Sequence, residues 1–230
     1  MPNAFQSLAE AIIEDDRERA RELLQQNPAL ATATAREARL EKNLPHWIYA
    51  GDLALHIAAA GYRVEIAKFL LDAGADCAAA KNHRQSQPLH YAADGYLENP
   101  FWDARRQVRT IEVLLKAGAD IHACDKNGTT PLHRAVRTRC AEAVKFLLGA
   151  GADATLQNKP GSTPFHLAVQ NTGRGGSGAE KAKAAQRQII QMFLDRGISP
   201  TLKAARGKSV LDWTKSDWIR QILTAKPEAG

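Results

Sequence analysis

The sequence predicts an all-α solenoid, a stack of helical hairpins joined by turns. Three observations carry that prediction. Two short signatures recur in phase, the composition favours helices, and proline and glycine stand where helices would begin and end. The first signature reads LALHIAA at 53–59, QPLHYAA at 87–93, TPLHRAV at 130–136 and TPFHLAV at 163–169. The second follows as LLDAGAD at 70–76, LLKAGAD at 114–120, LLGAGAD at 147–153 and FLDRGIS at 193–199. His56 to His90 is 34 residues and His133 to His166 is 33, but His90 to His133 is 43, so one unit carries an insertion. Only 6% of the 230 residues are aromatic and alanine is abundant, which favours helices over a β-sandwich.

Residues 4–30 open the chain as a capping pair of helices broken near EDD, with Leu8, Ile12, Leu23 and Leu24 facing inward. Residues 31–52 form an extended turn containing LPHWIYAG. Repeat one covers 53–81, repeat two 82–124, repeat three 125–157 and repeat four 158–206. Repeat two contains the insertion DGYLENPFWDARRQ at 94–107, and repeat four contains a glycine-rich stretch after residue 170. Thr130 and Thr163 are placed to cap helices that begin at Pro131 and Pro164. Repeat one has Leu53-Ala54 there instead, so its first helix is expected to start differently.

In repeat three, Leu132 and Ala135 share one helical face, and Ala143, Val144, Leu147 and Leu148 share another. Gly149 and Gly151 are expected to end the second helix. DKNG at 125–128 is a turn between extended segments. Such a turn–helix–helix unit cannot bury its apolar face alone and must stack on its neighbours. Residues 207–225 form a closing cap, with Val210, Leu211, Ile219 and Ile222 inward and Trp213 and Trp218 over the last open face.

These signatures, at their 33-residue period, resemble the ankyrin repeat. The resemblance covers nearly the whole chain and implies stacked helix-turn-helix units with β-turn fingers. It implies protein binding through a concave groove, without chemistry of its own, by a monomeric cytoplasmic scaffold or adaptor. A stand-alone bacterial adaptor, or a secreted effector, fits the same resemblance. The groove positions would fall on Tyr49, Ala60, His83, Arg84, Asp94, Lys126, Asn127, Arg137, Thr138, Lys159, Gln170 and Asn171. Trp47 joins them beside the groove. The residues Tyr96, Phe101 and Trp102 of the second insertion are expected to pack it onto repeat two. Turn insertions would lie at the finger end and inter-helix insertions at the opposite end. The latter gather an alternative basic edge of Arg105, Arg106, Arg137, Arg139, Arg174, Lys181 and Lys183.

The formal net charge of +6 suggests acidic partners. Residues 1–30 carry six acids against three arginines, and residues 171–208 carry eight bases against two acids. The basic edge therefore offers an alternative reading, binding of nucleic acid or another polyanion. Cys77, Cys124 and Cys140 form no C-x-x-C pair, which suggests free thiols in a reducing compartment. The start MPNAFQSLAEAIIEDD lacks the pattern of a signal peptide.

No catalytic motif is evident, and neither cofactor nor metal is expected. His56, His90, His133 and His166 recur at a helix-to-helix spacing too wide to share one ion, and in the ankyrin repeat this histidine is structural. His46 and His83 lie on turns with no evident third ligand. Cys140, between Arg139 and the next helix, is a weak candidate for a lowered pKa. Gly173, Gly175 and Gly178 spell G-x-G-x-x-G. A dinucleotide site needs a strand before those glycines, and TPFHLAVQ reads as a helix, so the stretch is read as a connector.

Overall fold

The computed structural model describes residues 4–41, 44, 46–95, 97–170, 179–204 and 207–225. Among them, helices dominate, with short strands at 39–40 and 47–48. The capping pair is α1 (Ala4–Glu14) and α2 (Arg17–Gln26). Asp15 turns the chain with φ 59°, and Asp16 caps α2 by accepting from the Arg19 amide at 3.0 Å.

The repeats follow as α3 (Ala54–Ala60) with α4 (Val64–Asp72), α5 (Pro88–Ala93) with α6 (Ala104–Lys116), α7 (Pro131–Arg137) with α8 (Ala141–Gly149), and α9 (Pro164–Ala168) with α10 (Glu180–Leu194). The final pair is α11 (Val210–Trp213) and α12 (Asp217–Thr224). First helices stack on first helices and second on second, from the N-terminal cap through the fourth repeat. No helix among the described residues is long and apolar enough to cross a membrane.

The core is one continuous seam built from the repeated signatures. Leu55, Leu89, Leu132 and Phe165 occupy the same position in successive first helices, and all are buried. Leu70, Leu114, Leu147 and Phe193 do the same in the second helices. Phe165 and Phe193 stack with ring centroids 4.9 Å apart, filling the last full repeat.

Three details refine or correct the expectation. Helix α3 starts at Ala54, in register with Pro88, Pro131 and Pro164. It lacks the threonine side-chain cap but keeps the histidine contact of the later repeats, His56 Nδ1 accepting from the Leu53 amide at 3.1 Å. Gly149 is the last residue of α8, and Gly151, at φ 95°, supplies the left-handed turn after it. In the closing pair Leu223 of α12 is buried, while Ile222 of α12 and Leu211 of α11 are only half-buried against the core.

Within the long turn two short strands pair antiparallel, β1 (Arg39–Leu40) with β2 (Trp47–Ile48). Alternation along β2 buries Ile48 and exposes Trp47. Leu40 stands opposite Trp47 in the register, so both project from the exposed side.

Candidate protein-interaction surface

The finger turns are built alike. In repeat three the Asp125 amide donates to Thr129 O at 3.1 Å and Gly128 N donates to Asp125 O at 2.8 Å. Repeat four repeats this with Asn158 N to Ser162 O at 3.0 Å and Gly161 N to Asn158 O at 2.7 Å. Gly128 and Gly161 have φ of 69° and 83°, which favours glycine; Gln85 takes the same left-handed place in repeat two at 54°. Successive fingers are tied together, Lys126 N to Arg84 O at 2.9 Å and Lys159 N to Asn127 O at 2.8 Å. The tips therefore form a ribbon that presents His83, Lys126 and Lys159 at equivalent positions, all exposed.

The four repeated histidines hold that ribbon. The Nε2 atoms of His56, His90 and His133 bond the carbonyls of Ser86, Thr129 and Ser162 at 2.9, 2.9 and 3.0 Å. His166 reaches Lys208 O at 3.4 Å. Each imidazole thus anchors the finger that follows it. Nδ1 accepts from the backbone at the helix start, as with Gln87 N to His90 at 3.1 Å and Thr130 N to His133 at 3.3 Å. This pattern assigns the neutral ring with its proton on Nε2. Burial pushes His56 and His90 down to about 4, and lowers His133 and His166 as well.

Over repeats one and two the concave face is filled by the chain itself. Leu44 is buried against the end of α3, where a Cβ added to Gly61 would meet Leu44 Cδ2 at 2.7 Å. The His46 ring lies 4.3 Å from that of Tyr91, and its Nε2 is 3.3 Å from Asp94 Oδ2. Ala60 and Asp94, expected as exposed groove positions, are consequently buried. Tyr49 is half-buried, packed against the His83 ring at 5.0 Å and under the Arg84 guanidinium at 5.0 Å.

Beneath this cover lies a charge network. Arg134, only 2% exposed, donates to Asp94 Oδ2 at 2.8 Å, Asp125 Oδ2 at 2.9 Å and Ser86 Oγ at 2.7 Å. Burial alone would raise the Asp94 pKa, yet Arg134, His46 and Arg137 hold it well below the usual carboxylate range. Asp52 differs. It accepts from the Tyr91 hydroxyl at 2.8 Å and the Tyr49 amide at 2.7 Å, yet burial outweighs these bonds and pushes it up to about 6.

Arg134 was not among the residues expected at the site. A signal existed: the residue after each repeated histidine is Ile57, Tyr91, Arg134 and Leu167, and a lone arginine in that inward column requires partners.

Past repeat two the face opens. Arg137 is exposed and touches Asp94 at 3.3 Å, and Lys126, Asn127 and Lys159 point to solvent. Gln170 is half-buried at the end of repeat four; Asn171 lies outside the described residues. Thr138 is structural: its hydroxyl donates to Arg134 O at 2.9 Å and accepts from Gly95 N at 3.3 Å. Trp47 (48%) and Leu40 (58%) form an exposed apolar pair beside the closed half.

At the opposite end the two inter-helix insertions do meet. Lys181 Nζ donates to Leu97 O at 3.3 Å and lies 5.4 Å over the Trp102 ring. Trp102 packs as expected, donating to Gln107 Oε1 at 3.0 Å, whereas Phe101 is 50% exposed. The basic edge is largely engaged. Arg106 pairs with Asp15 at 2.6 Å and Lys183 with Glu180 at 2.8 Å. Arg139 is buried rather than on an open edge, and desolvation lowers its pKa. Arg105 remains exposed. Arg174, Tyr96 and the motif glycines lie outside the described residues. The Cys140 expectation is corrected: its thiol is buried at the start of α8, and burial pushes it up to about 11.

Comparisons with known proteins agree with this architecture. The family described as "Ankyrin repeat" matches residues 50–83, and "Ankyrin repeats (3 copies)" matches residues 102–204. Human and mouse "Neurogenic locus notch homolog protein 2" are each 33% identical over 117 residues, covering 40% of this chain. The match spans only 5% of the length of those relatives. Ankyrin repeats are a general protein–protein interaction module. With histidine-anchored fingers and stacked helical pairs spanning the matched segments, the chain belongs to the ankyrin-repeat family.

Proposed function

We propose that the chain is a non-enzymatic scaffold that captures an acidic segment of another protein on the open half of its concave face. The observation that carries this reading is the tied finger ribbon, which fixes Lys126 and Lys159 at equivalent exposed positions beside Arg137. Bases held on a rigid backbone lose little entropy on pairing and steer an acidic partner by charge. The closed half contributes the frame and, at its rim, the Leu40–Trp47 pair as an apolar anchor.

The double substitution Lys126→Glu with Lys159→Glu tests this reading. Both side chains are exposed and reach no acid among the described residues, so the fold is expected to survive. Arg84 is a poorer choice because its guanidinium covers Tyr49. Wild type and double mutant are compared for capture of partners from a native extract and for binding of a poly-glutamate peptide. Loss of both in the mutant is expected; equal recovery of the same partner contradicts the site. A gel-shift titration with duplex DNA addresses the polyanion alternative, which is discarded if no shift occurs even at low salt.

A further inference from the structure

The convex side carries a second surface. Helices α6 and α8 are neighbours in the outer layer, and the seam between them opens into a trough of about 710 Å³. Its floor is apolar: Ala104 and Val108 from one side, Phe146 and Ala150 from the other. Its rim is mainly basic, with Arg105, Arg109 and Lys145 against Glu142.

The outer seam between α2 and α4 holds a comparable trough of about 490 Å³, lined by Arg21, Phe69 and Asp72, and differs from this one in its charge. In the seam between α2 and α4, the equivalent phenylalanine, Phe69, lies beneath the Arg21 guanidinium at 4.5 Å. Between α4 and α6, Glu65 pairs with Lys68 at 3.1 Å and reaches Arg109 at 3.9 Å. Helix α8 repeats the sequence of α4 closely, AEAVKFLLG against VEIAKFLLD, so Glu142 and Lys145 could form the same pair. They do not; among the described residues neither they nor Arg105 takes part in an ion pair, and no cation covers Phe146. Of the four positions at which the two helices differ, the one that lines the trough is Gly149, which stands where repeat one has Asp72. A Cβ added at Gly149 meets nothing within 4 Å, so the glycine leaves the end of the trough empty.

We infer that this trough docks an amphipathic helix of a partner protein, with an apolar stripe on Phe146 and Val108 and acidic residues flanking it. The charge of the rim decides the occupant: among the described residues Arg105 and Lys145 are unpaired, Arg109 is shared with Glu65 at 3.9 Å, and the one rim acid is Glu142, a balance that favours an acidic helix over a basic one. The shape agrees, because an unroofed trough between two helices accepts a third helix along its length, whereas a small molecule would be left half in water. The site lies on the outer helices and is independent of the concave fingers.

The test uses the full chain and a fluorescein-labelled synthetic helix, with leucines at every third or fourth position and glutamates on both flanks. Fluorescence anisotropy is expected to give a dissociation constant of roughly micromolar order. Gly149→Asp restores the residue of repeat one in open space, so the fold should be unaffected by circular dichroism. It is expected to weaken binding by at least about tenfold through bulk and like charge, and Lys145→Glu by a similar factor. A peptide with lysines in place of the glutamates should not bind. Absence of binding by the acidic peptide, or equal binding to Gly149→Asp, overturns the proposal. Self-association of the wild type that Gly149→Asp abolishes would instead make the occupant a second copy. Oleate displacing the peptide at lower concentration would make the site a lipid pocket, and either result also overturns it.

Discussion

The two halves of the concave face have opposite characters. Over repeats one and two, the groove is closed by Leu44, His46 and Tyr49 and floored by a buried ion network. Over repeats three and four, the same scaffold exposes Arg137, Lys126 and Lys159. The column after each histidine marks the crossover: Ile57, Tyr91 and Arg134 are buried, and Leu167 is half-buried. Identical repeat geometry can therefore serve as core or as binding surface, depending on what an insertion lays over it. Charges in the closed half are held by desolvated partners, while in the open half Lys126 and Lys159 face solvent and reach no acid among the described residues.

The largest break in this comparison is expected from Arg134→Ala. It leaves Asp94 and Asp125 buried without their cation, which costs about 3–5 kcal/mol. Arg137→Ala removes an exposed partner of the same Asp94 and should cost less than about 1 kcal/mol. Urea denaturation of the two variants measures both.

Acid comes next. His56 and His90 have folded pKa values of about 4 against an ordinary 6.5, so below 6.5 the unfolded chain binds more protons than the folded one. Stability then falls as pH drops from about 6.5 to about 4, by about 3 kcal/mol per histidine. Asp52 acts in the other direction. Raised to about 6, it keeps its proton in the folded state above the point where the unfolded carboxyl ionises. Its contribution is present below 3.8 and lost as pH rises through about 6, so acidification recovers part of the histidine loss. Denaturation midpoints between pH 7 and 4, repeated with Asp52→Asn, should show a steeper fall on acidification in that variant, because the opposing contribution of Asp52 is gone.

Leu44→Ala sharpens the comparison by loosening the cover alone. It should cost about 2 kcal/mol, at the low end for a buried leucine because the site can collapse. The smallest effect belongs to the open half: Lys126→Glu with Lys159→Glu should move stability by less than about 0.5 kcal/mol while abolishing partner capture.

The fold was legible because its signals are local and repeated. Thr130-Pro131 and Thr163-Pro164 mark helix starts by capping chemistry, and the leucine columns mark the core. The site was legible in part. Finger tips such as Lys126 and Lys159 follow from register alone. Ala60 and Asp94 did not, because their burial depends on where residues 44–49 fold, a contact between segments distant in sequence. Arg139 misled for a related reason: it lies buried in the left-handed turn between α7 and α8, and its burial depends on tertiary packing that the local sequence does not show.

Thiol accessibility tests the central claim most directly. In a Cys77→Ser, Cys124→Ser background, the remaining Cys140 is buried and serves as an internal control. Single cysteines at Ala60 and at Arg137, equivalent in their repeats in the sense of lying three residues past the inward column, are then labelled with a maleimide under native conditions. The account predicts that Arg137→Cys reacts at least about tenfold faster than Ala60→Cys, whose labelling waits on local opening of the 31–52 turn. Equal rates at the two positions would contradict it, because the groove would then be open along its whole length.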